Sequence, residues 1–590
     1  MDTRARWTGV ACALLASSIC GAQPLASFVD RTSSVGLFGG YRCAPGSPWC
    51  LTSSVQMMFA GASAGDFNND GWQDLFVLGG GGEPDRLFMN NGPDETGHVT
   101  FTDRALEAGV QDWHFGIHAA IGDVNADGWL DIFLTSMGPP ETAPLYGQHR
   151  LYLNSGPDAA GQVTFTDIAA PAGVASIGVI SPDGYGAAFG DYDLDGDLDL
   201  AVAGWAERTS GDTLFRNDGI DPATGVVRFT DVTGAAIDFT GGDTQGFSPR
   251  FVDMDGDRWP ELIWIADHST SRYFINNRDG TFTDSTGAAG MGRESNGMGH
   301  TIGDFNADGL LDLYVTSISA ADCVRGDNRL YLNQGDHVYL ASASEAGVGC
   351  GGWGWGTVAI DANGDTLTDI VETNGWPSHL GLRRAVLFLN RGDGTFLEAA
   401  LESGLDHTGL GRGLVNIDYD NDGDQDLLIA CRGELSFFEN LADADRAGWL
   451  RVLLDTSGYP GLAPNGFGAT IVISAGGTTQ VRSIDGGCNY SSQSELPAHF
   501  GLGGAELIDE VRVRWPNGRD TVIRDVPANR TLTIAACLAD FNWDAAVDVT
   551  DFFDFVQAFA SDDMDADMDG DGTLDGRDTR AFIEAFAACS

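Results

Sequence analysis

The chain has 590 residues, with 81 glycines, 43% hydrophobic and 10% aromatic residues. That composition excludes a disordered polymer and points to a turn-rich globular protein with several domains or a repeat architecture. The formal net charge of −53 excludes nucleic acid and anionic membrane as partners, because either would be repelled.

Residues 1–22 read as a secretory signal peptide: Arg4 and Arg6 form the basic end, an apolar run extends from Trp7 to Ile19, and small residues lead to a cut after Ala22. The run is too short to span a membrane, and no other stretch is apolar enough to do so. The expected product is exported, to the cell surface, the extracellular space or the periplasm. Eight cysteines remain after Cys12 and Cys20 are removed, an even number in an oxidising compartment. Nearness pairs Cys43 with Cys50, Cys323 with Cys350, and Cys537 with Cys589; Cys431 and Cys488 either pair with each other or stay free.

From residue 66 onward a nine-residue pattern returns seven times. Its fullest copy is Asp191-Tyr-Asp-Leu-Asp-Gly-Asp-Leu-Asp199, with side-chain oxygens at positions 1, 3, 5 and 9 and a glycine at position 6 for the sharp reversal. Oxygens at this spacing converge from one short turn, as a hard cation such as calcium requires. The copies supply Asp66, Asn68, Asp70 and Asp74; Asp123, Asn125, Asp127 and Asp131; Asp191, Asp193, Asp195 and Asp199; Asp253, Asp255, Asp257 and Glu261; Asp304, Asn306, Asp308 and Asp312; Asp361, Asn363, Asp365 and Asp369; and Asp418, Asp420, Asp422 and Asp426. The loops starting at Asp253 and Asp361 carry Arg258 and Thr366 in place of the position-6 glycine and have a glycine at position 4 instead, which predicts weaker binding or altered geometry there.

Successive loops start 57, 68, 62, 51, 57 and 57 residues apart, a period suited to a four-stranded propeller blade. A glycine-rich apolar segment enters each loop and a short apolar run leaves it, as in Leu75-Phe-Val-Leu78. An alternating strand ending in Asn follows, as in Leu151-Tyr-Leu-Asn154, and a fourth strand begins Phe-Thr-Asp at Phe101, Phe165, Phe229 and Phe282. The seventh repeat lacks its fourth strand, whereas Phe28-Val-Asp-Arg-Thr32 has that pattern ahead of every loop. The expectation is that it closes the ring, which removes the exposed sheet edges. These seven matches resemble the FG-GAP/VCBS repeats of integrin-α-type propellers, which implies a mainly β, seven-bladed propeller with calcium loops over residues 23–445.

Beyond residue 446 short strands take over, at Trp449 to Leu454, Ala469 to Ile473, Gln480 to Ile484, Val511 to Trp515 and Thr531 to Ile534. The stretches Asn465-Gly-Phe-Gly-Ala-Thr470, Gly487-Cys-Asn-Tyr-Ser-Ser-Gln493, His499-Phe-Gly-Leu-Gly503 and Trp515-Pro-Asn-Gly518 resemble an ASPIC/UnbV domain, as in the cartilage acidic protein family, over residues 446–536. Residues 537–590 hold two longer loops with oxygens at positions 1, 3, 5, 9 and 12: Asp540, Asn542, Asp544, Asp548 and Asp551, then Asp567, Asp569, Asp571, Asp575 and Asp578. Each leads into an amphipathic helix, with Phe552, Phe555, Val556 and Phe559 on one face of the first and Ala581, Phe582, Ala585 and Phe586 on one face of the second. This small helical module resembles a dockerin-type, EF-hand-like unit, which implies a cohesin-like partner. In all, up to nine calcium sites are expected.

No catalytic constellation stands out. Gly61-Ala-Ser-Ala-Gly65 fits a hydrolase nucleophile elbow, but Ser63 falls where the next two repeats have Ala120 and Ala188. Neither a His-Glu-x-x-His zinc motif nor a phosphate loop is present. His114, His118, Tyr185, Trp353, Trp355 and Arg412 lie near one channel mouth, where they either line a ligand pocket or pack between blades. The sequons at Asn489 and Asn529 sit inside domain motifs. The reading is an exported, non-catalytic calcium propeller that binds protein or glycan and is anchored by its tail. A polysaccharide-acting enzyme of a surface assembly and a purely structural surface protein are the alternatives. With about 1 mM calcium and dissociation constants of about 10⁻⁴–10⁻³ M, each loop would add about 0.4–1.4 kcal/mol of stability.

Overall fold

The computed structural model describes residues 25–42, 58–136, 148–175, 184–205, 212–237, 244–318, 327–376, 384–441, 448–561, 563–568 and 573–589. The signal peptide, the Cys43 and Cys50 pair, Cys323, Asp569 and Asp571 lie outside these residues. The chain is mainly β, with many four-stranded sheets in a propeller-like arrangement.

Among the described residues, seven four-stranded sheets occupy the first three quarters of the chain. The second is typical, with strands Gly116–Gly122, Asp131–Ser136, Arg150–Pro157 and Val163–Asp167 paired antiparallel in chain order. Its two inner strands are buried on both faces, so they read as small or apolar runs, whereas Val163–Asp167 alternates buried and exposed at the rim. The first strands of consecutive sheets neighbour one another in sequence order, and the last, Gly411–Ile417, returns to the first, Ala62–Gly65.

The ring closes where expected. Phe28–Asp30 pairs antiparallel with Leu435–Asn440, Phe28 opposite Asn440 and Asp30 opposite Phe438, and Phe28 is buried. Arg31 adds an ion pair of 2.5 Å to Glu439.

An Asn in each third strand ties neighbouring sheets together. The Asn154 side-chain amide donates to the carbonyl of Phe67 in the preceding sheet's loop (2.8 Å) and to that of Leu130 in its own (3.2 Å). Asn217, Asn276, Asn333, Asn390 and Asn440 reach Val124, Tyr192, Met254, Phe305 and Ala362 in the same way. Asn90 completes the circle by bonding Tyr419 of the seventh loop.

Several fourth strands run into one-turn helices, as at Ala105–Ala108 and Ala169–Ala172, each ended by a left-handed glycine, Gly109 or Gly173. A four-residue turn has no periodicity to read, so these helices leave no signal in the sequence.

The second β domain has a three-stranded sheet, with Gly448–Gly458 between Ala498–Gly503 and Arg530–Cys537, and a four-stranded one of Thr470–Ala475, Thr478–Ser483, Leu507–Arg514 and Asp520–Pro527. Ala498–Gly503 and Asp520–Pro527 were not expected as strands. Ile471, Phe500, Val511, Val513 and Trp515 form its core.

The tail holds helices Val549–Ala560 and Gly576–Cys589, clasped by the expected Cys537 to Cys589 disulfide. Cys350 is also disulfide-bonded. The two cysteines left open, Cys431 and Cys488, are both free and buried.

Candidate metal centre

Six of the seven described loops are drawn tight by their own backbone at both ends, whereas in the seventh only Asp426 is bonded in this way and Asp418 is not. In the third loop Asp191 accepts backbone N–H bonds from Asp195 (3.1 Å) and Gly196 (3.0 Å), while Asp199 accepts from Tyr192 (3.1 Å) and from Asn217 on the third strand (2.8 Å). The same bonds recur at Asp66 and Asp74, at Asp123 and Asp131, at Asp304 and Asp312, and at Asp361 and Asp369. Where position 3 is Asn, its amide nitrogen donates to the position-5 carboxylate, as from Asn68 to Asp70, Asn125 to Asp127, Asn306 to Asp308 and Asn363 to Asp365.

Carboxylate oxygens of Asp191, Asp193 and Asp199 lie within 4.8 Å of one another, as do those of Asp253, Asp255 and Asp257, and of Asp418, Asp420 and Asp426. Asp193 Oδ1, both oxygens of Asp418 and Asp420 Oδ1 are buried without a hydrogen-bond partner among the described residues. Burial pushes Asp191 up to about 8, Asp312 to about 8 and Asp420 to about 7. Asp199, Asp369 and Asp426 are held well above the ordinary carboxylate range for the same reason, with neighbouring carboxylates adding to it. Buried, converging, unpartnered oxygens fit a hard divalent cation.

The two departing loops keep the common backbone. Arg258 and Thr366 adopt φ of 79° and 81°, the left-handed region that glycine takes elsewhere, and their N–H groups still bond Asp253 and Asp361. The expected altered geometry is absent at the backbone, and the difference lies in the neighbours. Arg258 donates to the Trp515 and Arg519 carbonyls and pairs with Asp520 of the second domain. His337, from the adjacent sheet, places Nε2 3.1 Å from Asp255 Oδ2, while its Nδ1 meets the Tyr273 hydroxyl at 2.9 Å; Arg278 pairs with Asp257. The Asp253 loop therefore has a histidine and an arginine side chain against its carboxylates. His337 stands at φ 55° where the next repeat has Gly394 at φ 83°, and that exchange was the overlooked signal.

In the tail Asp551, fully buried, accepts from the N–H groups of Phe541, Asn542 and Asp548, and Asp540 accepts from Asp544 and Ala545. Ala545 takes φ 67° in place of a glycine. Asp548 caps the first helix. In the second loop Asp578 repeats the role of Asp551, bonding Met568 and Asp575.

The residues expected at a channel mouth pack inside. His114, His118 and Arg412 are fully buried, Tyr185 and Trp355 nearly so, and Trp353 partly. What fills the channel is the segment Asp485 to Pro497 of the second domain. Tyr490 packs its ring on Trp355 and Phe247 and donates to the Met58 carbonyl. Gln493 bonds the backbone of Ile121 and Ala64, Ser492 Oγ accepts from Ala62, and Ser494 Oγ accepts from Asn416. Glu495 pairs with Arg451 at 2.6 Å, both side chains buried, and accepts from the N–H of Asp418 in the seventh loop. The motif read only as a domain signature is thus a plug. Ser63 donates to the Ala119 carbonyl and accepts from Gln493, a packing role. Asn489 is buried and bonded to Arg250 and Ser494, so its sequon is shielded.

Residues 460–537 match the ASPIC and UnbV family, and residues 66–134, 123–202, 191–264 and 253–315 match the FG-GAP-like repeat family. Human cartilage acidic protein 1 is 28% identical over 341 residues, 55% of this chain and 49% of that protein. The mouse protein is 29% identical over 263 residues, 42% of this chain and 38% of that protein. The match thus spans half or less of these relatives' length. Among solved structures, the BP39L lectin from Burkholderia pseudomallei aligns with a TM-score of 0.41 at 11% identity, over 66% of this chain and 97% of the lectin. The chain therefore carries FG-GAP-like repeats over residues 66–315 and an ASPIC and UnbV domain over residues 460–537, and is similar to cartilage acidic protein 1.

Proposed function

We propose that this chain is an exported, non-catalytic calcium-binding propeller protein that serves as an extracellular binding or structural module. The carrying observation is the set of buried carboxylate oxygens without partners in the Asp191 and Asp418 loops, which calls for a cation in each. Calcium suits these loops because it accepts many oxygen donors in flexible geometry, whereas magnesium holds to a strict octahedron. Calcium would be held by the position 1, 3, 5 and 9 side chains of each loop and by the tail loops. The ions act as fasteners of the hairpins.

Binding would fall to outer surfaces, since the channel is filled. The tail suits docking to a cohesin-like or other protein partner. Phe552, Phe553 and Val556 on its first helix and Ile583 on its second are exposed, and the charge of −53 disfavours nucleic acid. No helix among the described residues is long and apolar enough to cross a membrane.

The test is a thermal melt of the intact chain in millimolar calcium and in excess chelator. The expected outcome is a large drop of the midpoint on chelation, restored by added calcium. An unmoved midpoint would refute the calcium reading.

A further inference from the structure

The fourth loop brings a nitrogen donor to its carboxylates. An oxygen of Asp255, an oxygen of Glu261 and a ring nitrogen of His337 all lie within 4.8 Å of one another. His337 comes from the next sheet, at the tip of the hairpin between Arg329–Asn333 and Tyr339–Ala341, and its Nε2 is 3.1 Å from Asp255 Oδ2. The side chains of His337 and Asp255 are 18% and 20% exposed, so an ion in solution can reach the group.

Each of the three has an atom to offer. Asp255 Oδ1 accepts from the Asp257 N–H, which leaves Oδ2. Glu261 is 1% exposed, and its Oε2 accepts from the Met254 N–H. In the other six loops the position-9 residue is Asp and takes a second bond from the N–H of the third-strand asparagine. Glutamate is one methylene longer, and Asn276 makes no such bond to it among the described residues, so Oε1 keeps its lone pairs. His337 Nδ1 meets the Tyr273 hydroxyl at 2.9 Å, and that hydroxyl meets the Tyr339 hydroxyl at 3.1 Å. A phenol both donates and accepts, so Tyr273 can take a hydrogen bond from Nδ1–H and leave Nε2 a bare donor, as in metal-bound histidines.

An ion pair between His337 and Asp255 explains one contact and leaves the buried Glu261 carboxylate facing a second carboxylate, an arrangement that costs free energy. Calcium explains the oxygens but takes no nitrogen. It also lacks a ligand here, because Asp257 Oδ1 accepts from the Trp259 N–H and Oδ2 pairs with Arg278. Two carboxylates and an imidazole are instead the donor set of zinc, whose two charges they balance, with a fourth position left for water. Ligands about 2.0–2.2 Å from a tetrahedral ion stand about 3.3–3.6 Å apart, and the 3.1 Å between Nε2 and Oδ2 is already close to that.

We propose that the fourth loop holds zinc in place of calcium, on Asp255, Glu261 and His337 Nε2, with Tyr273 positioning the imidazole. The proposal rests on the reading of these loops as cation sites, gives one of them a different ion, and makes that ion a bridge between the fourth and fifth sheets.

The test strips the intact chain with chelator, dialyses it against millimolar calcium chloride with micromolar zinc chloride, and measures both metals by elemental analysis. About one zinc per chain should remain beside the calcium. Two variants install residues that other repeats carry at the same places: His337→Gly, matching Gly394 at this left-handed turn, and Glu261→Asp. Both should fold, as read by the melting midpoint in calcium, and each should weaken zinc at least about tenfold. Tyr273→Phe should weaken it about tenfold and shift the visible absorption of the cobalt(II)-substituted chain, a signal that His337→Gly should abolish. Zinc fully displaced by millimolar calcium, or retained equally by His337→Gly and Glu261→Asp, overturns the proposal. The parent's chelation melt in calcium-only buffer reads the calcium proposal without zinc, so the two can fail independently.

Discussion

The buried carboxylates in the loops should give the protein a pH response, one whose sign the proposed calcium would reverse. In the metal-free chain Asp191 is pushed up to about 8, Asp361 to about 7, and Asp123 and Asp253 to about 6, each by burial first, against about 4 in an unfolded chain. Groups raised in this way leave stability intact below the unfolded value and remove it as pH rises through the folded values. In chelator, the melting midpoint should therefore fall between about pH 5 and about pH 8. In excess calcium the trend should reverse, because protons then compete with the ion for the same oxygens; midpoints measured across pH in both buffers check this. The asparagines make a second prediction at this scale. Asn154→Ala leaves the buried Phe67 and Leu130 carbonyls without their donor and should cost about 1–3 kcal/mol in urea unfolding. Asn91→Ala, at the exposed position next to Asn90 in the first sheet, should stay within about 0.5 kcal/mol.

At the scale of elements, the strand Phe28–Asp30 is short, yet it supplies the outer edge of the seventh sheet. Phe28→Ala should cost about 3–5 kcal/mol, and hydrogen exchange should show the loss first in Leu435–Asn440, its direct partner. This strand was legible because Phe-Val-Asp repeats the pattern of the other fourth strands in the one place where a sheet was a strand short. The four-strand period and the loops were legible for the same reason: identical side chains recur at fixed offsets. The plug was not. Its contacts join residues far apart in sequence, such as Ser492 with Ala62 across 430 positions, and nothing local in Gly487 to Gln493 records them. The first tail helix was half legible. Its apolar side was read as Phe552, Phe555, Val556 and Phe559, but one small partner helix covers only part of it, so Phe555 stacks on Phe582 with centroids 4.2 Å apart while Phe552 and Val556 remain outside.

Over the whole molecule, the plug's contacts should make the propeller and the second β domain unfold as one cooperative body. Glu495 ties Arg451 of the second domain to Asp418 and Gln425 of the propeller. Breaking such a buried pair by removing one partner costs about 3–5 kcal/mol. Calorimetry should show these two domains melting in a single transition that Glu495→Ala shifts down as a whole. Two separate transitions in the parent chain would contradict this. The closing strand also carries a consequence for biosynthesis. Arg31 meets Glu439 across 408 positions, so the first-made strand waits unpaired until most of the chain has emerged. Each nine-residue acidic loop, by contrast, closes locally. Assembly is therefore ordered in time: sheets set one by one as they emerge, the circle joins late, and the plug, made after every propeller strand, locks a ring that until then is free to reopen.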